Sequence, residues 1–340
     1  MARTSTTKTT TTTRAPAPGM TDESRGLLLG LLGVVIFAAT GPLTKLAVGS
    51  LDAPQLTPWF VTFGRAAVAG LLSLVYLLVQ RFTGTLVMPR GREWRLLGLT
   101  ALGVVLGFPL FLALALRFVP STHGAVVTGL LPLATAVVAA LWFRQRPSSA
   151  FWACALLGTA LVLAFMALRS ADSAGHLNVH LADVFLLTAM VSAAVGYVSG
   201  ARLTPSLGAE RVICWALVLS LPVTLPMAWV NAPLNTLAIH TSSWWAFSYL
   251  AVFSMWLGFF AWYRGLAIGG AVRVSQTQLV QPFLSLLMAV PLLGERLDGV
   301  TLGFGLGVIA TVFVSKKLAV HKPPAAPPET KPEEQPRTLT

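Results

Sequence analysis

The chain has 340 residues, of which 55% are hydrophobic and only 11% are charged. A soluble domain carries about 25% charged residues, so this composition cannot cover the surface of a soluble globule. It excludes a soluble enzyme and indicates a protein whose surface faces lipid. The formal net charge of +12 does not indicate a nucleic-acid partner, because the basic residues stand in short clusters between apolar runs.

The two ends of the chain are polar tails. Residues 1–24 are rich in threonine and residues 318–340 are rich in proline. Both are too poor in apolar side chains to form a core, so the sequence predicts disorder for them. No cleavable signal peptide is predicted, because no apolar segment precedes Leu27.

Between the tails, apolar segments alternate with short charged stretches. A membrane-spanning helix needs about 20 mostly apolar residues. Runs without a charged residue cover 27–44, 96–116, 120–143, 147–168, 184–201, 274–294 and 299–315. The uncharged run 212–263 is long enough for two helices and is divided by turn residues near Asn235. With residues 56–79, which contain Arg65, the sequence predicts an all-α membrane protein of ten transmembrane helices.

The distribution of lysine and arginine predicts the orientation in the membrane. If ten spans place both termini on one side, that side receives 19 basic residues and the other side receives 4. Basic loops face the cytoplasm, so both termini are expected to be cytoplasmic in a plasma membrane, such as a bacterial inner membrane. An odd number of spans would destroy this asymmetry.

An internal repeat is indicated by an offset of 150 residues. This offset aligns Leu116 with Leu266, Pro132 with Pro282, Ala139 with Ala289 and Arg146 with Arg296. The predicted units are residues 25–170 and 181–317, joined by an external linker at 171–180. Since five spans are an odd number, two copies must lie in opposite orientations around a central cavity. Inverted repeats of this kind are typical of secondary transporters.

Two motifs identify a resemblance to a known family. Residues 275–287 read SQTQLVQPFLSLL and are followed by Leu293-Gly-Glu-Arg296. The chain resembles the EamA-type permeases of the drug/metabolite transporter superfamily, in which a Gln-Pro pair in the ninth span and Gly-Glu at its outer end are typical of the second repeat. The first-repeat counterpart has Gln145 in place of the glutamate. The resemblance covers about residues 25–317. It implies ten helices in two inverted five-helix repeats around a cavity, and export of metabolites or drugs.

The expected function is therefore that of a secondary transporter working by alternating access. The aromatic-amino-acid exporter branch offers the closest functional analogy, so amino acids, aromatic ones among them, or related apolar compounds are the expected substrates. A proton-coupled multidrug exporter and a membrane scaffold or sensor without transport remain alternatives. No catalytic constellation or metal-ligand spacing occurs in the sequence, so neither enzymatic activity nor a cofactor is expected. The expected partners are a small-molecule substrate and the lipid bilayer, and the chain is expected to be a monomer.

Polar side chains at helical spacing mark the expected cavity. In the ninth span they are Gln278, Gln281 and Ser285, and Pro282 lies on the same stripe. In the fourth span they are Thr128 and Thr135, with Pro132 on the same stripe. A polar stripe does not face lipid, so it faces either a cavity or another helix, where it would strengthen helix packing.

Arg65 is the charged residue predicted to lie deep in a span. It stands about nine residues, or roughly 13 Å, from the start of its span, near the midplane of a hydrocarbon core of about 30 Å. Its guanidinium group could bond helix carbonyls released by Pro42 or Pro109, or it could hold a substrate carboxylate in a bidentate pair.

The eighth span presents an aromatic face that suits either an aromatic ligand or simple packing, as does Tyr197 of the sixth span. The residues of that face are Trp256, Phe259, Phe260 and Tyr263. Acidic residues are expected only at helix ends, which favours facilitated diffusion over proton coupling. His123, expected at the outer membrane interface, is the alternative proton site.

Overall fold

A computed structural model of the chain describes residues 22–142, 149–170, 181–269 and 274–317. Within these residues the regular structure is helical, apart from an isolated bridge between Gly49 and Pro54. Both tails beyond these limits, the linker and the segment that contains Gln145 lie outside the described residues.

Ten helices, some of them interrupted, follow one another along the described chain. The first five are α1 (Asp22–Ala38 and Thr40–Val48), α2 (Pro58–Phe82), α3 (Glu93–Thr100, the π-helical Ala101–Gly107 and Phe108–Ala115), α4 (Ser121–Thr128 and Leu131–Trp142) and α5 (Ser149–Ser170). The second five are α6 (Leu181–Leu207), α7 (Ala209–Val230), α8 (Thr241–Tyr249, the π-helical Leu250–Leu257 and Gly258–Gly269), α9 (the 3₁₀-helical Ser275–Val280 and Gln281–Leu293) and α10 (Gly299–Lys317). A short 3₁₀ turn, Thr236–Ala238, lies between α7 and α8.

Seven of the helices in the described chain are long and apolar enough to cross a membrane, namely α1 to α4 and α6 to α8. Shorter apolar helical stretches lie in α5, α9 and α10. The prediction of an all-helical protein with several apolar spans is confirmed at this level, and the count of ten spans stays a prediction.

The most extensive helix contacts join the first half of the chain to the second. Helix α1 packs along the last part of α8, α3 along α6, α2 along α7 and α5 along α10. The second part of α4 packs against α6, and α9 packs against α1. The two halves are therefore interleaved rather than side by side, and each depends on the other to bury its apolar faces.

The helices are irregular at corresponding places in the two halves. Helices α3 and α8 each contain a π-helical segment. Helix α4 is interrupted just before Leu131-Pro132, and α9 changes from 3₁₀ to α geometry at Gln281-Pro282. Proline lacks the N–H of a regular helix and its ring clashes with the preceding turn, so each proline follows a break. These irregularities converge on the middle of the molecule.

Candidate functional site

Two adjoining cavities lie between the halves of the molecule. The first, of about 40 Å³, is lined by Phe108, Thr128, Leu131, Gln278, Gln281, Pro282 and Ser285. The second, of about 30 Å³, is lined by Phe37, Thr40, Arg65, Val104, Phe108, Leu131, Tyr197, Ser254, Phe259 and Gln281. Because Phe108, Leu131 and Gln281 line both, we treat the two cavities as one central site.

The central site lies where the helices are interrupted. Thr40 follows the break in α1, and Leu131 follows the break in α4. Val104 and Ser254 lie within the π-helical segments of α3 and α8, and Gln281 begins the α-helical part of α9. Irregular helix geometry inside a membrane is tolerated where it is buried in protein or lines a cavity, and π-helical turns are frequent at functional sites.

Ser285 stabilises the break in α1. Pro42 has no N–H to donate to the carbonyl of Ala38 four residues earlier, so that oxygen lacks its usual helical partner. The Ser285 hydroxyl donates to the Ala38 carbonyl oxygen at 2.7 Å. A side chain of the second half thus satisfies a backbone group released in the first half.

The hydroxyl groups of Thr40 and Ser254 tie α1 to α8. Their Oγ1 and Oγ atoms lie 2.8 Å apart, and both residues are buried. On the same side, the Tyr249 hydroxyl donates to the Ile36 carbonyl oxygen at 3.2 Å. The break in α1 is therefore held in place by α8 as well as by α9.

Arg65 lies in the central site, as a buried residue of α2. The residue is 3% exposed, and its Nε atom has no hydrogen-bond partner. No carboxylate of the described residues lies within ion-pair distance of it. The Ala38 carbonyl, released by Pro42, accepts from Ser285 instead. Tyr197 and Gln281 line the same cavity as Arg65.

The structure brings only part of the fourth-span stripe to the central site. Thr128 lines it, although its hydroxyl donates to Gly124 O at 2.7 Å on its own helix. Thr135 donates to Leu131 O at 2.8 Å and lines neither cavity. Pro132 lies in the helical backbone of α4, and its side chain lies outside the described part of the chain.

Trp256 and Tyr263 lie in a hydrophobic cluster instead of on the cavity walls. Tyr263 is buried in that cluster beside Phe259, and Trp256 packs against its edge. Neither residue lines the two cavities. Of the aromatic residues proposed from the sequence, Tyr197 and Phe259 line the central site.

Several wall residues were not anticipated from the sequence. Phe37, Thr40, Phe108 and Ser254 line the central site. The hydroxyl residues among them stand alone in apolar segments, so no polar periodicity marks them. The proline two positions after Thr40 was the available signal, because it places a helix break there.

His123 and Asp183 form a buried pair near one end of the bundle. The His123 Nε2 and Asp183 Oδ1 atoms lie 2.9 Å apart, and the two residues are 6% and 2% exposed. Asp183 lies in the first turn of α6, as expected for an acidic residue at a helix end, and its carboxylate is paired with His123 in the protein interior. Because α4 and α6 pack together here, the ends of both helices are covered. The pair lines a cavity of about 600 Å³ with Glu295, Arg296 and Asp298.

The Gly-Glu motif has two physical roles. Gly294 ends α9 with a φ of 66°, a left-handed conformation that favours glycine. The Glu295 carboxylate accepts from the Ser121 backbone N–H at 2.7 Å and from the Thr122 backbone N–H at 2.9 Å. It thereby satisfies free donors at the N-terminus of α4, where the helix dipole favours negative charge. A motif of the second half thus caps a helix of the first.

The chain is similar to known transporters. A model of the EamA-like transporter family matches residues 24–167 and again residues 180–316. The uncharacterized transporter YdeK of Bacillus subtilis (strain 168) is 40% identical over 300 residues, which are 88% of this chain and 100% of that protein. The uncharacterized transporter YyaM of the same organism is 24% identical over 272 residues, covering 76% of this chain and 83% of its own.

A solved crystal structure has a similar fold. It covers 87% of this chain and 97% of its own, with a TM-score of 0.58 and 19% sequence identity. The resemblance inferred from the Gln-Pro and Gly-Glu motifs is confirmed at the level of the family.

Proposed function

The chain belongs to the EamA-like transporter family, and we propose that it is a secondary transporter that exports small metabolites by alternating access at the central site. Amino acids, aromatic ones among them, or related apolar compounds are the proposed substrates. The observation that carries the proposal is the composition of the central site, because both halves of the chain supply its polar side chains. A site shared in this way changes its accessibility when the halves move against each other.

An inverted repeat is part of the proposal, and the helix contacts support it. The family model matches the chain twice, once in each half. If α1 to α5 are exchanged with α6 to α10, the contact of α1 with α8 becomes that of α6 with α3, and the contact of α4 with α6 becomes that of α9 with α1. The α2–α7 and α5–α10 contacts become themselves. Two five-helix units related in this way lie in opposite orientations if all ten helices span the membrane.

The small size of the cavities supports movement between the halves. Cavities of about 40 and 30 Å³ hold a few water molecules, whereas small-molecule sites need about 300 Å³ or more. Substrate entry therefore requires the halves to separate. Near one end, Glu295 and the His123–Asp183 pair join α4 to the second half, so these contacts are the ones that opening at that end would break.

The test uses purified protein in proteoliposomes loaded with phenylalanine. We expect the wild-type protein to accelerate counterflow of labelled phenylalanine, and Gln281→Leu to reduce the rate about tenfold at equal protein levels, because the amide lines both cavities. Thr188→Leu is the matched control, since Thr188 bonds its own helix at Val184 and does not line the central site. A normal rate for Gln281→Leu would remove the central site from the transport path. Wild-type liposomes with no activity toward this or any other amino acid would contradict the proposed substrate class.

Proton coupling is the second candidate mechanism, and the buried His123–Asp183 pair favours it. Acidic and histidine side chains inside membrane carriers are frequent members of proton relays. If the pair couples transport to protons, an ionophore should abolish uphill transport by the wild-type protein, while Asp183→Asn should support counterflow alone. Counterflow and net flux that are both insensitive to the ionophore would favour facilitated diffusion.

A further inference from the structure

We propose that Arg65 binds the carboxylate of a substrate that has one carboxylate group and an apolar or aromatic group. The inference rests on the proposed transport function and names the substrate class of the same site. The observation behind it is a guanidinium group that is buried, faces a cavity and has no protein counterion among the described residues.

The charge of Arg65 needs a partner. Arginine stays protonated in proteins, and buried charges are normally paired or hydrogen-bonded. Buried Asp183 pairs with His123, and partly buried Glu295 accepts from the start of α4, so neither carboxylate is the partner of Arg65. The carbonyl at the nearby α1 break accepts from Ser285. The negative charge that balances the Arg65 guanidinium is therefore assigned to the ligand.

The surroundings of Arg65 select the form of the anion. The polar residues that share its cavity are neutral, namely Gln281, Tyr197, Thr40 and Ser254. One cation without a second basic group neutralises one negative charge, whereas a dianion such as phosphate would leave a buried excess. A planar carboxylate also matches the two parallel N–H groups of a guanidinium.

The apolar walls select the rest of the substrate. Phe37 and Phe259 contact each other edge to face at a centroid distance of 4.9 Å, and both line the cavity of Arg65. Phe108 connects this cavity to the one lined by Gln278. Aromatic and aliphatic walls around a few polar groups are typical of sites that bind small apolar compounds. A monocarboxylate with an aromatic or branched apolar group fits both features.

The experiment compares phenylacetate with its neutral amide, phenylacetamide, as ligands of the purified wild-type protein in thermal unfolding. We expect phenylacetate to raise the unfolding temperature and to bind at least tenfold more tightly than the amide. Inorganic phosphate and chloride should compete weakly. Equal affinity for the two probes, or binding of neither, overturns the proposal without the use of any variant. Competition by chloride or phosphate as strong as that of phenylacetate would show a simple anion site and would also overturn it.

Variants then assign the preference to Arg65. Arg65→Met should abolish the preference for the acid over the amide, and Arg65→Lys should retain a weaker preference, because a lysine has the charge without the planar fork. Arg81→Met is the control, since Arg81 is an exposed residue at the end of the same helix. An unchanged preference in Arg65→Met would place the anion elsewhere, and a full wild-type preference in Arg65→Lys would contradict bidentate binding by the guanidinium group.

Counterflow separates this inference from the proposed function. If wild-type liposomes transport only solutes that lack a carboxylate, the transport function is supported and the carboxylate site is contradicted. If phenylacetate binds through Arg65 and no solute is transported, the binding site is supported and the transport function is contradicted.

Discussion

At the scale of single residues, the central site depends on a pair in which a proline removes a backbone hydrogen bond and a serine of another helix replaces the donor. Pro42 breaks the hydrogen-bond ladder of α1, and Ser285 supplies the missing donor to Ala38 from another helix. The break lets Thr40 turn toward Ser254 at the cavity. In a regular helix these backbone groups would be hydrogen-bonded within the helix. The break therefore contributes directly to the polarity of the site.

Ser285→Ala should lower the stability of the protein. The change leaves a buried carbonyl without a donor, which costs about 1–3 kcal/mol, and thermal unfolding in detergent measures it. Ser248→Ala is the matched control, because exposed Ser248 donates to Trp244 on its own helix, and an effect below about 0.5 kcal/mol is expected there.

A double substitution identifies the cause. Pro42→Ala restores a backbone N–H opposite the Ala38 carbonyl, so the Pro42→Ala/Ser285→Ala protein should lose less stability than the sum of the two changes. Strict additivity would show that Ser285 acts through some other contact.

At the scale of helices, α3 and α6 approach each other closely. A Cβ atom built on Gly103 would lie 2.7 Å from the Cα atom of Gly196. Such a distance leaves no space for a side chain, so the two backbones pack directly against each other. Gly103 belongs to the π-helical segment of α3, and this contact therefore sets where Val104 and Phe108 enter the central site.

Gly103→Ala should reduce the unfolding temperature by several degrees, because the added methyl group forces α3 away from α6. Gly98→Ala on the same helix is the control, since a Cβ at Gly98 meets no atom within 4 Å. There the higher helix propensity of alanine, up to about 1 kcal/mol, should leave stability unchanged or raise it. Equal effects of the two changes would contradict close packing at Gly103.

At the scale of the whole molecule, the basic residues set the expected orientation. The split of 19 to 4 between the two predicted sides is a property of the loops and tails, and it does not depend on how the helices pack. Arg65 is left out of this split because it is buried in the bundle. The orientation is thus predicted independently of the central site.

Reporter fusions test this orientation. A reporter that is active only outside the cytoplasm should be silent when it is fused after residue 320 or within the loop near Thr83, and active near Asn235. The two silent fusions should be active with a cytoplasmic reporter, which controls for expression. An active signal after residue 320 would show an odd number of spans or the opposite orientation.

The sequence alone determined the features that depend on composition and local pattern. A charge content of 11% and long uncharged runs are sufficient to predict an all-helical membrane protein, because lipid excludes other open folds. The Gln-Pro and Gly-Glu motifs were sufficient for the family, and the isolated charge of Arg65 within an apolar run marked a residue of the central site. Gln278, Gln281 and Ser285 share a helical face, so their convergence on that site also followed from periodicity.

Only the tertiary structure decided which residues from different helices meet. The partner of His123 is 60 residues away in sequence and the partner of Ser285 is 247 residues away, and no local pattern specifies such pairs. Thr40 and Ser254 were not identified because a single hydroxyl in an apolar helix is not distinctive. Trp256 and Tyr263 were expected as cavity residues, but the packing of α8 directs their side chains to the hydrophobic cluster. Periodicity defines the faces of a helix, whereas the neighbouring helices determine which face borders the cavity and which borders the core.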